Sequence, residues 1–548
     1  MPSEFPPSEF LIDDAIVWAG PRPSPQAGYM AVRDGVISLL GTGAAPHTDE
    51  CPDERRALGG RHVLPGFVDA HSHLTVSAWL PRGLDASGWT SAAAALTEIA
   101  RSGASRPDGA WIVAFGADFD RWSGGLPRPD DLDVAAGGRP CVIADFSLHR
   151  CIASSEARRL AGVARTGARF ADDIVMSRGR PSGLLWESAS ATALSAAFAA
   201  LATDIGVLGH ETLLAEEARR HLSLGITACH DPCVPAPLAP MLERLRATTP
   251  LRLSWSSVAP DSLLDPPGID ALCPSCGEGP ASAKLFMDGA HKCALCLEPL
   301  HVLKMMGATA AAAARGNFAP LRELFAYRSV YRSGHFYTPY LRMETAELAT
   351  RLGTLATHGV RPRIHAVGNH AAACACQAIA DTRVTDVTIE HLTFLGDRDI
   401  DAVAASGAVA SLQPGFIERF GAGIVDRRLA PDIHAYPSAS LVRAGVPLAL
   451  SSDNPCGPLD PLHNLRIAVE RRLADGRSVD PREAIPIEAA VAAYTRGGYQ
   501  AIHGKTGGGL GVGAPADFVV LDGHPMAATT RVVETWVGGR LAWSADAA

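Results

Sequence analysis

The chain has no long apolar run, no block of like charge, no internal repeat and no excess of basic residues. Its longest apolar stretches, such as Ala310 to Ala314, are far too short to span a bilayer, so no membrane partner is expected. Lysine and arginine number 49 against 58 aspartates and glutamates, a net charge of −9. That balance argues against a polyanion-binding surface, so no nucleic-acid partner is expected. The opening Met1-Pro-Ser-Glu-Phe-Pro-Pro lacks both a basic and an apolar region, so no signal peptide is expected. Twelve cysteines in 548 residues are too few for a disulfide scaffold. Mostly free thiols in a reducing cytoplasm are the corresponding expectation.

What is present is ordinary globular composition, 47% hydrophobic and 20% charged, in a chain long enough for a large barrel or two to three units. Both ends read as small β-structure. Ala15 to Trp18, Tyr29 to Arg33 and Val36 to Leu40 are strand-like, with Asp34-Gly35 as a hairpin turn. Asp517 to Leu521 and Val532 to Val537 have the same character. The centre alternates short apolar strands with helical stretches. Eight strands are expected, at 64–73, 226–230, 251–255, 283–287, 363–366, 387–391, 408–412 and 447–451. The fold class is therefore α/β, a (β/α)8 TIM barrel with a small β-sandwich domain formed from both chain termini. The expected division is 1–62 plus 495–548 for the sandwich and 63–494 for the barrel. An inserted subdomain at about 75–220 follows strand one, and a lid-like insertion lies at about 292–342. Long insertions of this kind shape pockets.

The chemistry gathers at the strand ends. Leu64-Pro-Gly-Phe-Val-Asp-Ala-His-Ser-His73 ends in two histidines two residues apart, which in a strand face the same side. Lys284 lies in strand four, His365 and His391 end strands five and six, and Asp453 follows strand eight. A barrel gathers these ends, although hundreds of residues separate them. Neutral imidazoles suit Zn²⁺ or a similar divalent ion with an open position for water. Such an ion yields hydroxide at neutral pH, and a neighbouring Asp can carry the proton to a leaving nitrogen. Taken from the residues alone, Lys284 also fits an ordinary lysine paired with Asp288, and Glu187 a solvated loop carboxylate.

The ordered motifs resemble the amidohydrolase superfamily. Lys284-Leu-Phe-Met-Asp-Gly289, His365-Ala-Val-Gly368, Ile389-Glu-His391 and Ser452-Asp-Asn-Pro455 are similar to the branch that includes N-substituted formamide deformylase. The resemblance covers about residues 10 to 543. It implies His71, His73, His365, His391 and Asp453 as metal ligands, with Asp453 also the catalytic acid/base. It implies one or two ions, most simply zinc, and a carboxylated Lys284, because an ammonium has only donors. It implies a cleaved C–N bond in a small amide-like substrate, with deamination or lactone opening as rivals on the same site. A barrel that has lost catalysis and serves as a binding or zinc-ribbon adaptor is the reading from another class. A homodimer is compatible with it. His149, Glu187, His335 and Tyr337, all in the insertions, are the substrate-binding candidates. Asn369 departs from the resemblance, standing where relatives commonly carry Asp.

Cys273-Pro-Ser-Cys276 and Cys293-Ala-Leu-Cys296, with 16 residues between them, have zinc-ribbon spacing. Strand four lies between the pairs and, at roughly 16 Å for five extended residues, carries them to opposite ends of the barrel wall. Independent thiol pairs are expected, with Cys293 and Cys296 on the pocket side.

Overall fold

The computed structural model describes residues 9–20, 23–48, 51–163, 170, 172–177, 179–259, 264–268, 277–316, 329–338, 340–427 and 433–547. At its centre is an eight-stranded parallel sheet whose strands follow one another in chain order. They are Phe67–Asp69, Ile226–Pro235, Arg252–Val258, Ser282–Phe286, Arg361–Ala366, Thr388–His391, Val409–Leu412 and Leu448–Leu450. These are the eight expected strands. They are short and apolar because both faces are covered, as a parallel sheet wrapped in helices requires. Backbone bonds just beyond the strands join the first to the eighth. Asp453 N donates to His71 O at 2.7 Å, and His73 N to Asn454 O at 2.8 Å. Ser452 N donates to the buried Asp69 carboxylate at 3.0 Å. Closure therefore occurs at the level of the predicted site.

The two chain ends meet in one seven-stranded sheet. It joins Phe10–Ala19, Ser24–Arg33, Val36–Thr42 and Arg55–Pro65 to Phe518–Leu521, Val532–Val537 and Arg540–Ser544. The Phe10 and Trp536 rings lie 4.7 Å apart, although their strands are three ladder steps apart. A flat sheet would separate them by about 14 Å. The sheet is thus strongly curled, and Phe10, Met30, Phe518 and Trp536 fill the core it encloses.

The region after the first strand builds a six-stranded sheet that includes Ile112–Ala117 and Cys141–Asp145. One long helical element, Glu187–Ser223, follows that sheet. By length and composition this helix is long and apolar enough to cross a membrane, longer than the apolar runs suggest. Gly206 breaks it at φ 66°, ψ 170°, and Ala189, Leu194, Phe198, Leu214 and Leu222 pack into the main core.

Candidate active site

A cavity of about 580 Å³ opens at the ends of the barrel strands. His71, His73, Lys284, His365, His391 and Asp453 all line it. Asp453 Oδ1 stands 3.0 Å from His73 Nε2 and 3.4 Å from His71 Nε2. Ligand atoms of His71, His391 and Asp453 all lie within 4.8 Å of one another. The His391 ring is 5.0 Å from that of His71 and 4.4 Å from that of His365.

Each histidine is oriented from behind. His71 Nδ1 donates to Glu390 at 2.9 Å, leaving Nε2 to face Asp453 and the cavity. Arg363 holds the same carboxylate at 2.8 Å, so Glu390 stays ionised despite full burial. His391 Nδ1 donates to Gln413 Oε1 at 2.8 Å. Such partners fix the tautomer of a metal-binding imidazole. Glu390 lay inside a quoted motif, but its role could be seen only once Arg363 and His71 were placed beside it.

Burial and the Asp453 carboxylate set the electrostatics of the site. Burial lowers His391 to about 3 and His365 far below its ordinary value, which keeps both imidazoles neutral. Burial opposes charge on His73, but Asp453 and Cys233 beside it outweigh burial and raise it to about 10. Burial also opposes charge on Asp453, and His71 and His73 hold it well below the carboxylate range regardless. Burial lowers the Lys284 amine. Lys284 Nζ and His365 Nε2 are buried without a hydrogen-bond partner among the described residues, and Asp453 Oδ1 faces the same space with only His71 and His73 beside it. Unsatisfied buried polar atoms are expensive, and several facing one space mark a place for a ligand. His391 and Asp453 also have left-handed backbones, φ 77° and 52°, a strain that clusters at functional sites.

Asp288 is not the partner of Lys284. It accepts the amides of Ala294, Val367 and Gly368, each at 2.9 Å, and so ties the loop after strand four to strand five. His149 and Glu187 do come together, with His149 Nδ1 donating to the carboxylate at 2.7 Å. Glu187 also accepts the amides of His291 and Lys292, both at 3.1 Å. Burial raises its carboxyl, but His149 and the other donors outweigh that and bring it to about 2. The solvated-loop reading of Glu187 is thereby corrected: it is 4% exposed. His149, Phe146, His291, Phe416 and Phe420 line the cavity.

His335 and Tyr337 do not reach this wall. They sit on a short ribbon strand, His335–Tyr337, where the Tyr337 ring faces His370 at 5.0 Å. Nothing in the sequence fixed how that insertion folds back. Asn369 makes a two-way clamp on the same insertion. Its Oδ1 accepts Cys296 N, and its Nδ2 donates to Cys296 O, each at 2.9 Å. Cys273 and Cys276 lie outside the described residues; Cys293 lines the cavity. His230 and Asp231 are internally satisfied, His230 by Ser254 and Ser256, Asp231 by Thr75.

The sequence profile of the amidohydrolase family matches residues 56–542. N-substituted formamide deformylase of Arthrobacter pascens is 27% identical, over 94% of each chain. The protein LONG AFTER FAR-RED 3 of Arabidopsis thaliana is 24% identical over 97% of this chain and 91% of its own. An uncharacterized metal-dependent hydrolase from Pyrococcus horikoshii has the same fold, with a TM-score of 0.66 at 19% identity, covering 95% of this chain and 99% of that one. The chain therefore belongs to the amidohydrolase family, hydrolases of carbon–nitrogen bonds other than peptide bonds.

Proposed function

We propose that this enzyme hydrolyses the C–N bond of a small N-substituted amide with the help of a divalent metal, zinc in this reading. His71, His73, His365, His391 and Asp453 would hold the metal, and Lys284 would join them in carboxylated form. The observation that carries the proposal is the pair of buried, unsatisfied atoms Lys284 Nζ and His365 Nε2, which face one cavity together with the ionised Asp453. A divalent ion held by these residues would make water easier to deprotonate and polarise a carbonyl. The rest falls to the chain. Asp453, held ionised, takes the proton from water and passes it to the departing nitrogen. Glu187 fixes His149, which lies against His365 with ring centroids 5.6 Å apart, where it can orient the substrate. Phe146, Phe416 and Phe420 form an apolar wall that limits water.

In this reading the barrel at 63–494 carries the reaction, and the curled sheet of 1–62 and 495–548 is its small β-sandwich domain. The insertions at about 75–220 and 292–342 shape the pocket. The likeness to N-substituted formamide deformylase makes N-substituted formamides the first substrates to try. The test measures amine release and metal content together. Asp453→Asn should retain metal and lose about 10²–10⁴-fold in turnover, the scale of general acid–base catalysis. Full activity in that variant would remove Asp453 from its role.

A further inference from the structure

Away from the strand ends, one wall of the cavity is a row of rings. Phe416 lies 6.1 Å from His391 and nearly parallel to it, at 14°. Phe420 meets Phe416 edge-on at 5.4 Å, and Phe146 lies 5.4 Å from Phe420. The Arg419 guanidinium stands over the Phe146 ring, 5.2 Å from its centroid. His391 is buried, Phe416 and Phe420 are half-buried and Arg419 is exposed, so the row leads from the histidine cluster to the cavity mouth. Charge at that mouth is unevenly used. Three carboxylates besides Asp453 line the cavity, and each already has a cation. Arg121 holds Asp118 at 3.2 Å, Arg150 holds Asp120 at 3.0 Å and His463 holds Glu418 at 2.9 Å. Arg419 makes neither an ion pair nor a side-chain hydrogen bond among the described residues. It also stands near the start of the helix Phe416–Arg427, where the helix dipole disfavours a cation.

We propose that Arg419 reads an anionic end group on the substrate: an amide whose N-substituent has an apolar or aromatic body lying along Phe416 and Phe420 and ends in a carboxylate. The inference rests on the amide-hydrolase reading above and deepens it. A carboxylate attached next to the scissile nitrogen would stay at the histidine end of the row, with Phe416 and Phe420 between it and Arg419. A guanidinium offers a planar fork of N–H donors that matches a carboxylate in two parallel bonds. The Phe146 ring supports that plane from one face and leaves the donors at its edge to the ligand. The rings alone would accept any apolar amide; Arg419 adds a preference for a negative end and repels a positive one.

The test uses the full-length, metal-loaded enzyme and three probes of equal length: N-(2-phenylethyl)formamide and its 4-carboxylate and 4-aminomethyl derivatives. Wild type should take the carboxylate with a KM about tenfold below that of the neutral probe, the scale of one charge-assisted hydrogen bond, and the aminomethyl probe worst. Arg419→Gln should bring the neutral-to-anionic KM ratio to about one, and Arg419→Glu should invert the order so that the aminomethyl probe binds best. The wild-type ratio should shrink in 1 M salt, because the contact is open to solvent. Calorimetry of the three product amines reads the same order without any turnover. If wild type releases no amine from any probe, the formamide reading fails, and the calorimetric order still decides on Arg419. Equal binding of the neutral and carboxylated amines by wild type, or an order that Arg419→Glu does not change, would overturn the proposal while leaving the hydrolase reading intact.

Discussion

Asn369→Asp would restore the residue that the resemblance leads one to expect, and the structure says it should loosen the lid insertion. In the native protein one amide meets both backbone groups of Cys296 at 2.9 Å. An ionised Asp keeps the bond from Cys296 N but turns a second acceptor towards the Cys296 carbonyl. One hydrogen bond, about 1 kcal/mol, is lost, and a half-buried carbonyl is left facing a like partial charge, about 1–3 kcal/mol more. Asn369 is 9% exposed, and Asp399, whose carboxyl is raised chiefly by burial, also lies in hydrogen-bonding range. The new carboxylate therefore gains little from water. The total, about 2–4 kcal/mol, corresponds to roughly 30- to 1,000-fold faster local opening. Native-state hydrogen exchange of the peptide spanning 293–298 reads it directly. The pH dependence has a definite sign. The new Asp would titrate above its unfolded value of about 3.9, so the folded state binds the extra proton and the variant loses stability relative to wild type as pH rises from about 4. Below that the protonated acid can donate to Cys296 O again and the penalty disappears. Asn369→Leu, which has no charge, should open the clamp equally at both pH values. Wild-type exchange by Asn369→Asp at pH 7 would refute the clamp.

Two further outcomes follow from Glu187. Its carboxyl is lowered from 4.5 to about 2, so the stability it contributes is complete above about 4.5 and is lost as pH falls through about 2. Glu187→Gln should therefore cost about 3 kcal/mol at pH 7, and its unfolding profile should lack the wild-type loss between those limits; an unchanged acid limb would refute the pairing with His149. A Cβ on Gly289 would meet the Glu187 carboxylate at 2.2–2.5 Å, and that carboxylate is pinned by three donors. Gly289→Ala should destabilise by about 1–3 kcal/mol and raise KM more than it lowers kcat; a neutral result in thermal unfolding and in KM would show that Glu187 is free to move.

The barrel was legible because a short apolar run with a polar end is what a doubly covered strand looks like, and eight of them recur between Phe67 and Leu450. His71, His73, Lys284, His365, His391 and Asp453 could be picked out because each stands at such an end or on such a strand, and the structure brings all six to one cavity. Residues that depend on how a connection folds were less accessible. His335 and Tyr337 looked like pocket residues only because their insertion follows a barrel strand. The second strand was expected to stop at His230 but runs on to Pro235, which brings Cys233 to the cavity wall. Glu390 and Gln413 orient histidines across strands, a relation that no local spacing encodes.

The central claim is that one ion sits where the first, sixth and eighth strands end. A crystal of the protein purified with its metal, with diffraction recorded on both sides of the zinc absorption edge, tests it most directly. The account predicts an anomalous peak within ligand distance, about 2.0–2.2 Å, of His71, His391 and Asp453. Metal bound stoichiometrically with no peak among those three residues would contradict it.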